Sequence, residues 1–120
     1  MVLGDRMMVS MSPEGEFNLN RHAAEEFGQP EAVVLLYDPS TTRIGLRPAS
    51  RLMPNAFTLR KKGSSGNRVL RAKHFLKRHD IRIDNTVRFR GPKIENGILV
   101  LNLQHLQSVK RKPRETGRRR

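Results

Sequence analysis

The chain has 120 residues, no cysteine, and 24 Lys and Arg against 11 Asp and Glu, a net charge of +13. That length suits one domain with a modest core. The lack of cysteine excludes disulfides and thiolate metal sites and suits a reducing compartment, so the cytoplasm is the expected location. No run approaches the ~20 apolar residues of a membrane span, and Met1 to Met11 lacks the apolar block and cleavage site of a signal peptide; no membrane partner is expected.

The charge is divided unevenly. Residues 1–50 hold four basic and seven acidic side chains, residues 51–109 hold 13 and three, and residues 110–120 hold seven and one. A protein that needed charge only for solubility would intersperse its signs. The segregation predicts a polyanionic partner for the second half, and leaves the acidic first half as a surface for a protein partner or a second copy.

In chain order, Phe17 and Leu19 alternate as an inward-facing strand, and Arg21 to Phe27 reads as a short helix with Asn20 as its cap and Gly28 as its stop. Ala32 to Tyr37 and Ile44 to Arg47 follow as a hairpin around Asp38-Pro39-Ser40. The pattern then repeats. Phe57 and Leu59, then Val69, form strands; Lys73 to His79 forms a helix; Thr86 to Arg90 and Ile98 to Leu103 form strands, the last after the turn Glu95-Asn96-Gly97. The first helix lies over the second at a constant offset of 52, with His22 matching His74. Repeats of this size, about 7–48 and 57–103, are too small to hold a core each. They are expected to share one, as two βαββ-like halves of a pseudo-two-fold domain spanning residues 1–109. Ala23 and Ala24 then sit opposite the bulkier Phe75 and Leu76, and Phe27 matches the smaller His79.

The second copy, from Leu59-Arg60-Lys61-Lys62-Gly63 through Arg68 to Lys73-His74-Phe75-Leu76-Lys77-Arg78-His79-Asp80-Ile81, resembles the AbrB/MazE/SpoVT swapped-hairpin family. The shared order is a strand with a basic pair, a polar loop ending in Gly, an Arg opening the next strand, a short helix and a closing hairpin. The resemblance implies a mainly β fold with short helices, an AbrB-like barrel of two interlaced halves in one chain, and a transcriptional regulator or accessory factor. It also implies DNA contacts at Arg60, Lys61, Arg68 and Lys77. The chain departs from the pattern at Ala72, where the family has a helix-opening Pro, and at Asp80, where it has Gly; the first copy lacks the basic pair.

The residues themselves predict a basic hairpin, with Arg60, Lys61 and Lys62 on one strand, Arg68 opening the next and a Gly63-Ser64-Ser65-Gly66 tip between them. Such a ribbon can follow a phosphate backbone, and its arginines can read guanine edges. Lys110, Arg111, Lys112 and Arg114 belong to a tail, residues 110–120, that has no apolar periodicity and reads as a disordered, sequence-independent phosphate grip. With only six Phe and Tyr, the stacking platforms of single-strand binders are not evident, so duplex DNA is favoured over RNA. The four histidines are scattered and Glu25 and Glu26 lie on a helix face, so no enzyme, metal site or cofactor is expected. Two alternatives use the same charges: an antitoxin-type interaction module, against which the Arg-rich tail argues, and an RNA- or ribosome-associated factor.

Overall fold

The structure, a computed structural model, describes residues 7–109; the expected tail, with Lys110, Arg111, Lys112 and Arg114, lies outside the described residues. In chain order the elements are β1 (Val9–Met11), β2 (Glu16–Leu19), α1 (Arg21–Glu26), β3 (Ala32–Asp38), β4 (Arg43–Ala49), β5 (Ala56–Thr58), β6 (Arg60–Lys62), β7 (Asn67–Arg71), α2 (Lys73–Arg78), β8 (Val87–Phe89), β9 (Lys93–Glu95), β10 (Ile98–Asn102) and β11 (Leu106–Ser108).

The strands form two antiparallel sheets. One has six strands in the order β11-β8-β1-β2-β7-β6, the other five in the order β5-β3-β4-β10-β9. Strands far apart in sequence meet at the centre of each: β2 pairs with β7, with Phe17 opposite Leu70, and β4 pairs with β10, with Leu46 opposite Leu99. Side chains alternate between faces with a period of two. Val9, Met11, Phe17, Leu19, Leu70, Val87 and Phe89 of the first sheet, and Val33, Ile44, Leu46, Leu99 and Leu101 of the second, therefore turn to the same side and join one buried cluster. Among the described residues no polar or charged side chain is buried, so the hydrophobic effect is opposed by no desolvated charge.

The helices complete this core. In α1 the Asn20 side chain accepts from the Ala23 N–H at 2.9 Å, and Ala23, Ala24 and Phe27 are buried. The helix ends with Gly28 at φ +87°, its N–H donating to the Glu25 carbonyl and the Gln29 N–H to that of Ala24, the paired bonds of a Schellman stop. α2 ends on the same bonds, from Asp80 to Lys77 and from Ile81 to Leu76, with Asp80 at φ +54°. It buries Phe75 and Leu76 and has no side-chain cap at Ala72. Tyr37 packs edge-on to Phe75, and His79 sits 5.1 Å from the Tyr37 ring, between centroids.

Each helix begins against the hairpin of the other half. A Cβ at Gly15, in the β1–β2 turn, would lie 2.7 Å from the Lys73 backbone, and one at Gly66, in the β6–β7 turn, 2.7 Å from Cγ of Arg21. The Ala72 N–H donates to the Gly15 carbonyl at 2.8 Å.

The sheets correct the expected barrel. They are open, with β11 and β6 at the edges of one and β5 and β9 at the edges of the other. The chain passes from one sheet to the other at two corners. At Leu59, between β5 and β6, the N–H donates to the Glu31 carbonyl at 2.9 Å in continuation of the β3–β5 register, and the next residue, Arg60, pairs with Val69 of the other sheet. Between β8 and β9 lie Gly91, at φ +61°, and Pro92, which has no N–H to give to a ladder. Bends that move a strand from one sheet to another are the usual corners of packed sheets. β11 then occupies the edge beside β8. The AbrB-like swapped-hairpin identity is not supported, and the expectation of a transcriptional regulator, which rested on that identity, falls with it. What stands is a mixed α+β fold of two open antiparallel sheets.

Candidate nucleic-acid interface

Arg60, Lys61 and Lys62 are exposed on the edge strand β6, as the basic hairpin requires, and Arg68 is half-buried on β7. The four do not form one surface. Lys61 lies opposite Arg68 in the ladder, whereas Arg60 lies opposite Val69 and Lys62 opposite Asn67. Alternation therefore turns Arg60 and Lys62 to the outer face of the six-stranded sheet, and Lys61 and Arg68 to the other side of the hairpin, where Arg21 lies against Gly66. Arg68 folds back on its own turn, Nη1 lying 3.3 Å from the Gly66 carbonyl and 3.5 Å from that of Asn67. Like charges directly opposite on paired strands repel, and among the described residues neither Lys61 nor Arg68 has an acidic partner.

On the outer face the register aligns a row of side chains across the strands, polar except at the buried Val69. Gln107 of β11 is opposite Arg88 of β8, Arg88 is opposite Ser10 of β1, and Ser10 is opposite Asn18 of β2. Asn18 is opposite Val69 of β7, which is opposite Arg60 of β6. A groove of about 210 Å³ runs here, lined among others by Ser10, Asn18, Asn67 and Arg88. Lys62 reaches its floor, Nζ donating to Oδ1 of Asn18 at 3.0 Å. The one acid among the strand residues of this face, Glu16, accepts from Nε of Arg71 at 3.3 Å. Arg60, Lys62 and Arg88 have no acidic partner among the described residues. The face offers fixed cations at both flanks and amide and hydroxyl donors between them.

Lys77 is not part of this face. It lies exposed on α2 and lines a separate groove of about 530 Å³ with Lys73, Asp80, Arg82 and Asp84, where two carboxylates offset the cations. Sequence reasoning missed Arg88, because an Arg alternating with Val87 and Phe89 carries no signal until the register sets it beside Ser10. The polar alternation of Ser10 and Asn18 with buried neighbours was the trace it left.

Among the described residues no group of three or more His, Asp or Glu could hold a metal ion, and no helix is long and apolar enough to cross a membrane. Comparison with models of protein families, with curated proteins and with solved structures finds no match.

Proposed function

We propose that the outer face of the six-stranded sheet binds the phosphate backbone of nucleic acid, with duplex DNA the leading ligand. The observation that carries this reading is the groove floored by Ser10, Asn18 and Asn67, with Arg88 on one flank and Lys62 and Arg60 on the other. Cations release the counterions of the phosphates they neutralise, and neutral amides and hydroxyls add hydrogen bonds to phosphate and sugar. Lys and Arg on an edge strand also discourage edge-to-edge pairing. That role covers Arg60 to Lys62 on β6; it does not cover Arg88, which lies on β8 between β11 and β1.

The test is fluorescence anisotropy with labelled duplex DNA, single-stranded DNA and structured RNA across a salt series. The triple variant Arg60→Ala, Lys62→Ala, Arg88→Ala should lower the slope of log K against log salt by roughly 2.7, at about 0.9 per duplex phosphate lost. An unchanged slope would remove this face from the reading, and tighter binding of structured RNA would change the ligand.

A further inference from the structure

The second sheet carries an apolar surface that its core does not use. β3 reads Ala-Val-Val-Leu-Leu-Tyr-Asp and β10 Ile-Leu-Val-Leu-Asn, continuous runs of the kind found in strands covered on both faces. The inner face is buried; on the outer face Val34 is covered at its end, and Leu36, Ile98 and Val100 are half-buried. Val33, Leu35, Tyr37, Leu99 and Leu101 belong to or pack on the core, so alternation turns Val34, Leu36, Ile98 and Val100 outward. Gly45 lies opposite both Leu36 and Val100 and keeps the middle of the patch low. A Cβ there would approach Cγ2 of Ile98 to 3.1 Å and Leu36 to 3.6 Å.

The charges around the patch are mixed. Asp38 lies opposite Arg43 at one end; Arg47 is opposite Val34, and Glu95 opposite Ile98, at the other. Each end thus pairs one acid with one base, and Lys93, exposed opposite Val100 on β9, adds a cation beside the middle of the patch. Asp38 is firmly ionised, because the Ser40 hydroxyl and amide donate to its carboxylate and hold its pKa below the usual range. A lipid surface or a strongly charged partner would select one sign. A copy of this same face, turned by a two-fold axis, can set acid against base at both ends, and that is what an isologous contact requires. The basic face lies on the opposite side of the core, so two copies meeting here keep those cations apart.

We infer that two copies of the chain pair through the outer face of the five-stranded sheet, around Leu36, Gly45, Ile98 and Val100. The pair then presents its two basic faces in opposite directions. On the reading of that face proposed above, one dimer bridges two separate duplexes instead of gripping one.

Analytical ultracentrifugation of the full chain without nucleic acid tests the contact, over roughly 10 to 300 μM, the range where modest interfaces assemble. The wild-type chain should pass from monomer to dimer. Val100→Thr keeps the β-branched shape and should weaken the dimer about tenfold, because each dimer buries two new hydroxyls. Val100→Arg should abolish it with an unchanged circular-dichroism spectrum. A wild-type chain that stays monomeric throughout, or a Val100→Thr dimer as tight as wild type, overturns the inference. Energy transfer between two differently labelled duplexes reads the bridging. It should appear with wild type and vanish with Val100→Arg while single-duplex anisotropy persists. A dimer that binds no duplex would sink the nucleic-acid reading and leave the dimer standing; duplex binding by a strict monomer would do the reverse.

Discussion

Asp80 and Gly28 occupy the same place at the ends of the two helices, both left-handed, at φ +54° and +87°. Glycine adopts that conformation without a steric penalty, and a residue with a Cβ does not. Asp80 gains only an exposed ion pair with Arg82, 2.8 Å to Nε, worth little in water. Asp80→Gly is therefore expected to raise stability by about 0.5–1 kcal/mol, measured as a higher urea midpoint at constant m-value. The glycines under the helices behave in the opposite sense. Both Gly15 and Gly66 have positive φ, but Gly15 faces backbone of Lys73 whereas Gly66 faces the flexible stem of Arg21. Gly15→Ala should cost several kcal/mol, on the order of 3 or more, and Gly66→Ala roughly half that, since the Arg21 side chain can move aside. Equal losses in thermal denaturation would show that φ strain alone governs both sites. The helix caps were readable as residues, Asn20 and Gly28 above all. The close approach at Gly15 was not, because it is created by a partner 58 positions away, Lys73.

At the level of elements, the β6–β7 hairpin shows how far charge pattern carries and where register must take over. Its basic residues stand out in the sequence, but composition does not say which side of a ribbon each one occupies. The pairing of Lys61 with Arg68, and of Arg60 with Val69, divides them. Removing Arg60 and Lys62 should therefore weaken duplex binding several times more than removing Lys61 and Arg68, although the charge lost is identical. Anisotropy titrations of the two double-alanine variants at one salt concentration decide this, and equal effects would mean that only net charge matters. The Lys61→Ala, Arg68→Ala variant should also be slightly more stable, by a few tenths of a kcal/mol, since a like-charge cross-strand pair is relieved. Short edge strands were the least legible elements. β9 and β11 have three residues each, too few for alternation to register, and β5 and β6 read as one strand, although the pairing passes from β3 to β7 between Leu59 and Arg60.

For the molecule as a whole, the shared core follows from pairings that no half contains. β2 needs β7 and β4 needs β10. Residues 1–54 alone keep Phe17, Ile44 and Leu46 but lose Leu70, Leu99 and Leu101 from the cluster. That fragment is expected to melt without a cooperative transition, at any concentration where it stays soluble; a sharp monomeric transition in differential scanning calorimetry would refute the dependence. The repeat in the sequence pointed to two halves around one core, and the family resemblance added the expectation that those halves close into a barrel. The chain instead changes sheets at Leu59-Arg60 and at Gly91-Pro92 and leaves β11, β6, β5 and β9 as sheet edges, which periodicity does not record.

The seating of each helix on the opposite hairpin bears on how quickly the chain finds this arrangement. Neither Gly15 beneath Lys73 nor Gly66 beneath Arg21 can be reached by local zippering, because each contact closes a loop of about half the chain before any reward is collected. Folding should accordingly be slow for a domain of this size, on the millisecond-to-second scale of non-local β topologies. Once made, the two clasps are reciprocal: lifting either helix uncovers the other half's turn. In native-state hydrogen exchange the amides of α1 and α2 should then share a single opening free energy, as one cooperative unit drawn from both halves of the sequence.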